Sequence, residues 1–142
     1  MDEAGFAGLS ENHRRAISAT LRQVDEIICE FEQFARGREI HSICYQEQNE
    51  LSADQKRALL REISKMRNVL GDLKETLGLK VTLESAATRI WGYSNCCWVA
   101  LVETESKGLR GYGAVPPGFA EYLDPRMETL IKHLQHIIGV VK

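Results

Sequence analysis

Proline is scarce in this sequence, aromatic residues make up only 7% of it, and no stretch stays apolar for long. With three prolines and glycines in no regular period, collagen-like architecture is excluded. The longest apolar run, Cys96 to Val102, falls far short of the roughly 18 residues a membrane span needs. Neither charge dominates. A net charge of -2 and a pI near 6.1 argue against a dedicated DNA coat or a polybasic membrane anchor. The opening residues, MDEAGFAGLS, carry acids where a secretory signal needs bases, and no apolar core follows them, so a cytoplasmic location is expected. In that compartment the four cysteines (Cys29, Cys44, Cys96 and Cys97) read as free thiols. Adjacent Cys96 and Cys97 do not bridge each other without strain. Gly-x-Ser-x-Gly, His-Glu-x2-His and paired-carboxylate patterns are all missing.

What is present is an ordinary globular balance, 44% hydrophobic and 27% charged over 142 residues. A chain of this size buries roughly two thirds of its unfolded surface, so it needs neither metal nor disulfide to fold. The expectation is one helical-bundle domain over residues 1–142, with residues 1–9 flexible.

Helical periodicity is the strongest signal. Ile17, Leu21, Val24, Ile28, Phe31 and Ala35 step by alternating fours and threes, with Ile27 and Phe34 widening the stripe. Arg14, Arg15, Arg22, Glu26 and Glu30 take the other face. Gly37 breaks the phase, and Ile40, Ile43, Cys44 and Tyr45 predict a kinked or additional short helix over residues 38–48. Ser52 and Gln55 form a capping box ahead of Leu59, Ile63, Met66, Leu70, Leu73 and Leu77, and Gly78 is placed to end that helix in the left-handed conformation.

Residues 82–104 carry two adjacent helical stripes, yet Cys97 to Val102 is apolar all round and also suits a buried strand. Helix is the preferred reading because Glu84 to Arg89 lead in with helix-compatible residues, and it predicts the most buried helix of the protein. A β-hairpin over residues 96–115 is the alternative. Residues 108–118, GLRGYGAVPPG, concentrate glycine and proline and predict a long loop. Asp124 and Pro125 then read as N-cap and first residue of a final helix striped by Met127, Leu130, Ile131, Leu134, Ile137, Ile138 and Val141. No 20-to-50-residue repeat is evident. Together these predict an all-α antiparallel four-helix bundle. Nearly strict 3.5-residue seams favour small crossing angles, and an apolar stripe running to Val140 and Val141 hints at a partner surface.

Few residues suggest chemistry. On the last helix Arg126 and His133 lie seven residues apart, within about 20° of each other and two turns along. Such a pair suits a phosphate clamp and a general base. The spacing resembles the Arg-x4–6-His motif of the HEPN family, whose members are all-helical bundles and many of which cleave RNA without metal, commonly with the motif at a dimer interface. The resemblance implies a catalytic role for Arg126 and His133. Arg36 and His41 give a second match across the Gly37 break, while Met127 and Gly37 follow the two arginines where that family commonly has a polar residue. The other reading leaves His133 and His136 as solvated residues near a helix C-terminus.

His41 and Cys44, with Cys96 or Cys97, have the softness of zinc ligands but lie over fifty residues apart and lack Cys-x2-Cys spacing. Cys29 and Cys97 fall on apolar stripes, where cysteine packs as a small hydrophobe, so no metal or other cofactor is expected. In the glycine-rich loop, Arg110 and Tyr112 are candidate binding residues, although no Walker or dinucleotide motif surrounds them. Residues 1–50 carry five basic and ten acidic residues, and residues 51–142 carry 13 and ten. Lys56, Arg57, Arg61 and Lys65 form an exposed basic face without a stacking aromatic, which leaves RNA as a candidate partner, while DNA contact is not expected. The leading expectation is a non-catalytic, homodimeric interaction or regulatory module that pairs with itself or another helical protein, with no membrane partner. A HEPN-like ribonuclease is the alternative.

Overall fold

Every regular element among the described residues, 6–142, of this computed structural model is a helix. Two compact units divide the chain, Met1–Thr82 and Leu83–Lys142. Part of the expected flexible 1–9 segment, residues 1–5, lies outside the described residues. Residues 6–9 form a turn closed by the Leu9 amide donating to the Phe6 carbonyl.

The first unit is a helical pair, α1 (Glu11–Ala35) and α2 (Ala53–Leu77). Both open with a reciprocal capping box, Ser10 with His13 and Ser52 with Gln55, which satisfies amides that a helix start leaves unpaired. Gly78 ends α2 at φ 65°, a left-handed geometry that a Cβ disfavours. Arg14 Nε, in the first turn of α1, donates to the carbonyl of Leu77, the last residue of α2, at 2.9 Å. The start of one helix therefore lies beside the end of the other, and the pair is antiparallel.

Ile28 and Ala35 of α1 and Ile63 and Leu77 of α2 are the buried apolar residues, with Ile17, Leu21, Val24, Leu59, Leu70 and Leu73 of the predicted stripes half-buried around them. The two margins of this seam differ. Glu32 and Arg67 lie about 40° from Ile28 and Ile63 on one margin and form a forked ion pair at 2.9 and 3.0 Å. On the opposite margin Ile27, Phe31, Met66 and Val69 remain exposed.

Between α1 and α2 the expected short helix over residues 38–48 is absent. The chain instead doubles back in a small hairpin: His41 bridges Gln46, and the Ser42 amide donates to the Tyr45 carbonyl at 3.0 Å. Polar side chains favour this form. Arg38 forks onto Glu47 at 2.6 and 3.0 Å, and the Asn49 amide group donates to the Phe34 and Arg38 carbonyls at 2.9 Å each. These bonds join residues nine to fifteen positions apart, which a helix over 38–48 would hold too far apart to meet. Ile43, read as a helix-stripe residue, stands 98% exposed at the tip.

The second unit is also a pair, α3 (Ala86–Glu103) and α5 (Phe119–Val141), joined by the single-turn α4 (Ser106–Leu109) and a 3-10 turn at Arg110–Tyr112. Residues 96–103 are helical, so the hairpin alternative does not form. The predicted loop is shorter than 108–118, because its first residues continue α4 and the 3-10 turn. The final helix begins at Phe119 after Gly118 at φ 82°, six residues before the expected start at Pro125, which sits inside it.

Asp124 does cap a helix, but a different one. Its carboxylate accepts the Ser106 amide at 2.8 Å and the Ser106 hydroxyl at 2.6 Å, satisfying the buried first residue of α4. That bond holds the end of α3 beside the start of α5, so this pair is antiparallel too.

Candidate functional site

The Arg126 and His133 side chains both stand exposed on the same side of α5. They are not brought together. The Arg126 guanidinium folds back toward the helix start, stacks 3.9 Å from the Tyr122 ring centroid and donates to the Tyr122 carbonyl at 2.7 Å. His133 lies two turns the other way, with the His136 ring edge-on at 6.0 Å. The second motif match is also split: Arg36 pairs with Glu32 at 3.1 Å, and His41 with Glu39 at 2.9 Å.

Glu39 accepts the Asn49 amide as well as the His41 ring, and these two bonds hold its carboxyl below its usual range. Cys44, Cys96 and Cys97 are exposed. Among the described residues no group of three or more His, Cys, Asp or Glu side chains is arranged to hold a metal ion.

Arg110 lines an open cavity of about 500 Å³ with Val115, Pro116, Pro117 and Glu121. Tyr112 does not line it and stands 90% exposed at the 3-10 turn. On the basic face of α2, Arg57 pairs with Asp54, and Lys65 with Glu62 at 2.9 Å. Much of that positive charge is therefore neutralised within one turn of the same helix.

Glu32 accepts hydrogen bonds from two arginines. Hydrogen bonds from Arg67 and then Arg36 lower its carboxyl from 4.5 to about 2. Arg67 also reaches the Cys29 sulfur at 3.8 Å. Glu32 and Arg36 are an i,i+4 pair, whereas no spacing rule links either to Arg67, which meets Glu32 only because two stripes pack antiparallel. Ser106 was missed for the same reason, its partner Asp124 having been assigned to another helix end.

The most distinctive surface is apolar. From Ile90 through Val102, α3 contains no charged residue. A helix of that kind is expected at the centre of a core. Here α5 packs along the side that holds buried Ser94, leaving Trp91 and Val102 exposed on its flank and Val99, further round, 58% exposed. Ser94 and Ser106 are the buried residues of this unit, and no apolar side chain of residues 83–142 is fully buried. Compared with protein-family models, curated proteins and solved structures, the chain matches none. No helix among the described residues is long and apolar enough to cross a membrane.

Proposed function

We propose that the chain is a non-catalytic helical interaction module that acts as a cytoplasmic homodimer. One observation carries this reading: a helical pair in which α3 has no charged residue from Ile90 through Val102 contains no fully buried apolar side chain. Apolar surface of this kind gains roughly 25 cal/mol for each Å² removed from water, and one neighbouring helix covers only part of α3. The four-helix packing expected from the stripes is then completed between copies rather than by one pair of helices. Arg110 and the cavity beside it are a second contact surface for a partner, with another helical protein as the alternative occupant of the apolar side.

Native mass spectrometry of protein purified without chelator tests this directly. A species of twice 16.0 kDa supports the module, and a chain that stays monomeric overturns it.

A ribonuclease is the second reading, favoured by the shared exposed side of Arg126 and His133. Incubation with structured and unstructured RNA in EDTA separates the two. Cleavage that disappears in His133→Ala replaces the interaction module with the enzyme.

A further inference from the structure

We infer that His133 and His136 form a two-imidazole chelate on α5 for a divalent transition metal, copper foremost and nickel after it. The site stands apart from the homodimer reading, because both ligands come from one helix of one chain.

Helix geometry brings the pair together. Residues three apart are neighbours on a helix surface, and the two rings stand edge-on with centroids 6.0 Å apart. A metal about 2 Å from one nitrogen of each ring, at roughly a right angle, sets the ring centres roughly 4.5 Å apart. Closing the remaining gap of about 1.5 Å takes only rotation of two side chains, since both residues are exposed.

The other two histidines are already engaged. His13 Nδ1 accepts the Ser10 amide at 3.1 Å in the capping box of α1, and His41 Nε2 pairs with Glu39 at 2.9 Å. His133 and His136 have no hydrogen-bond partner among the described residues, and the ring each touches is the other's. A metal there displaces water and breaks no internal bond. Each neutral imidazole offers it the lone pair of the nitrogen that carries no proton.

The donor set selects the metal. No Asp, Glu or Cys joins the pair in a group of three among the described residues, so water completes the coordination shell. Calcium and magnesium need oxygen ligands, which this pair lacks. Structural zinc takes four protein ligands, twice what the pair supplies. Mixed nitrogen and oxygen coordination in a tetragonal arrangement suits copper and nickel, and copper is the tighter of the two. The two rings converge only while residues 133–136 are helical, so bound metal also stabilises α5.

The test titrates NiCl2, and separately CuCl2, into the full-length protein by calorimetry. All four cysteines are exposed, and they are alkylated first so that thiolates do not compete. Wild type is compared with His133→Ala, His136→Ala and His41→Ala, with unchanged helical circular dichroism showing that each folds. Wild type is expected to take up one metal per chain, copper more tightly than nickel, and CaCl2 to give no binding. Either α5 substitution is expected to weaken binding roughly 100-fold, because a two-point attachment becomes a single one. His41→Ala is expected to bind as wild type does. Thermal melting supplies a second readout, in which NiCl2 raises the melting temperature of wild type and leaves the two α5 variants unmoved.

A wild type that binds neither metal overturns the site, as do α5 variants that bind like wild type. Binding lost in only one of the two α5 variants overturns the chelate, because a single imidazole then holds the metal.

Discussion

Replacing Ile28 with alanine should destabilise the α1/α2 unit more than any change on its exposed margin. Ile28 is 1% exposed, and the seam it occupies has only three other buried apolar residues, Ala35, Ile63 and Leu77. The substitution removes three carbons, worth roughly 2.4 kcal/mol at about 0.8 kcal/mol each. A helical pair relaxes only partly into the space left behind, so the total should reach about 3 kcal/mol, within the usual range for buried isoleucine. A unit of this size holds on the order of 4 to 12 kcal/mol in all, so the loss is a large share. It corresponds to a melting temperature lower by roughly 12 to 24 °C. Urea titration followed by circular dichroism measures the loss, with Phe31→Ala, 44% exposed, as the reference. Phe31→Ala should cost less than about 1 kcal/mol. The seam is wrongly placed if Ile28→Ala costs no more than Phe31→Ala.

Three other outcomes follow from local geometry. Glu32 titrates near 2 when folded and near 4.5 otherwise, so its contribution is complete above 4.5 and fades as pH falls from about 4.5 toward 2; Glu32→Gln should flatten the acid limb of the stability curve in that window, and an unchanged limb would count against the Arg67 fork. Gly108→Ala should destabilise the second unit by about 1 to 3 kcal/mol, because a Cβ there would overlap the Glu103 backbone carbonyl, whereas Gly111→Ala, with open space around it, should be near neutral by thermal melting. Ser106→Ala should cost about 1 kcal/mol by losing its bond to Asp124; an effect below about 0.3 kcal/mol, read by urea unfolding, would mean that α4 does not depend on this contact.

Long-period information was legible in the sequence, and short-range competition was not. The stripes of α1 and α2 fix both helices, since a 3.5-residue seam has one way to face a partner. Capping at Ser52 and termination at Gly78 need no tertiary information and appear as expected. The 38–48 segment fails as a helix because Arg38, Glu47 and Asn49 make bonds across nine to fifteen positions, which periodicity does not register. Asp124 carries a capping signal, and only the fold reveals that the helix it caps is α4. For Arg126 and His133 the sequence supplies the shared helix side but not the rotamer, which turns Arg126 onto Tyr122. The apolarity of α3 was legible as a demand for burial, whereas the partner meeting that demand was not, because a stripe looks the same whichever chain covers it.

The central claim is that the second unit draws stability from a second copy, and the concentration dependence of its melting temperature tests it most directly. A folded dimer that melts to separate chains gains stability with concentration by mass action. A hundredfold increase should raise the melting temperature by about 5 to 10 °C for a chain or unit of this size. A melting temperature that does not move across that range would contradict the account, because each copy would then hold its exposed apolar side unaided.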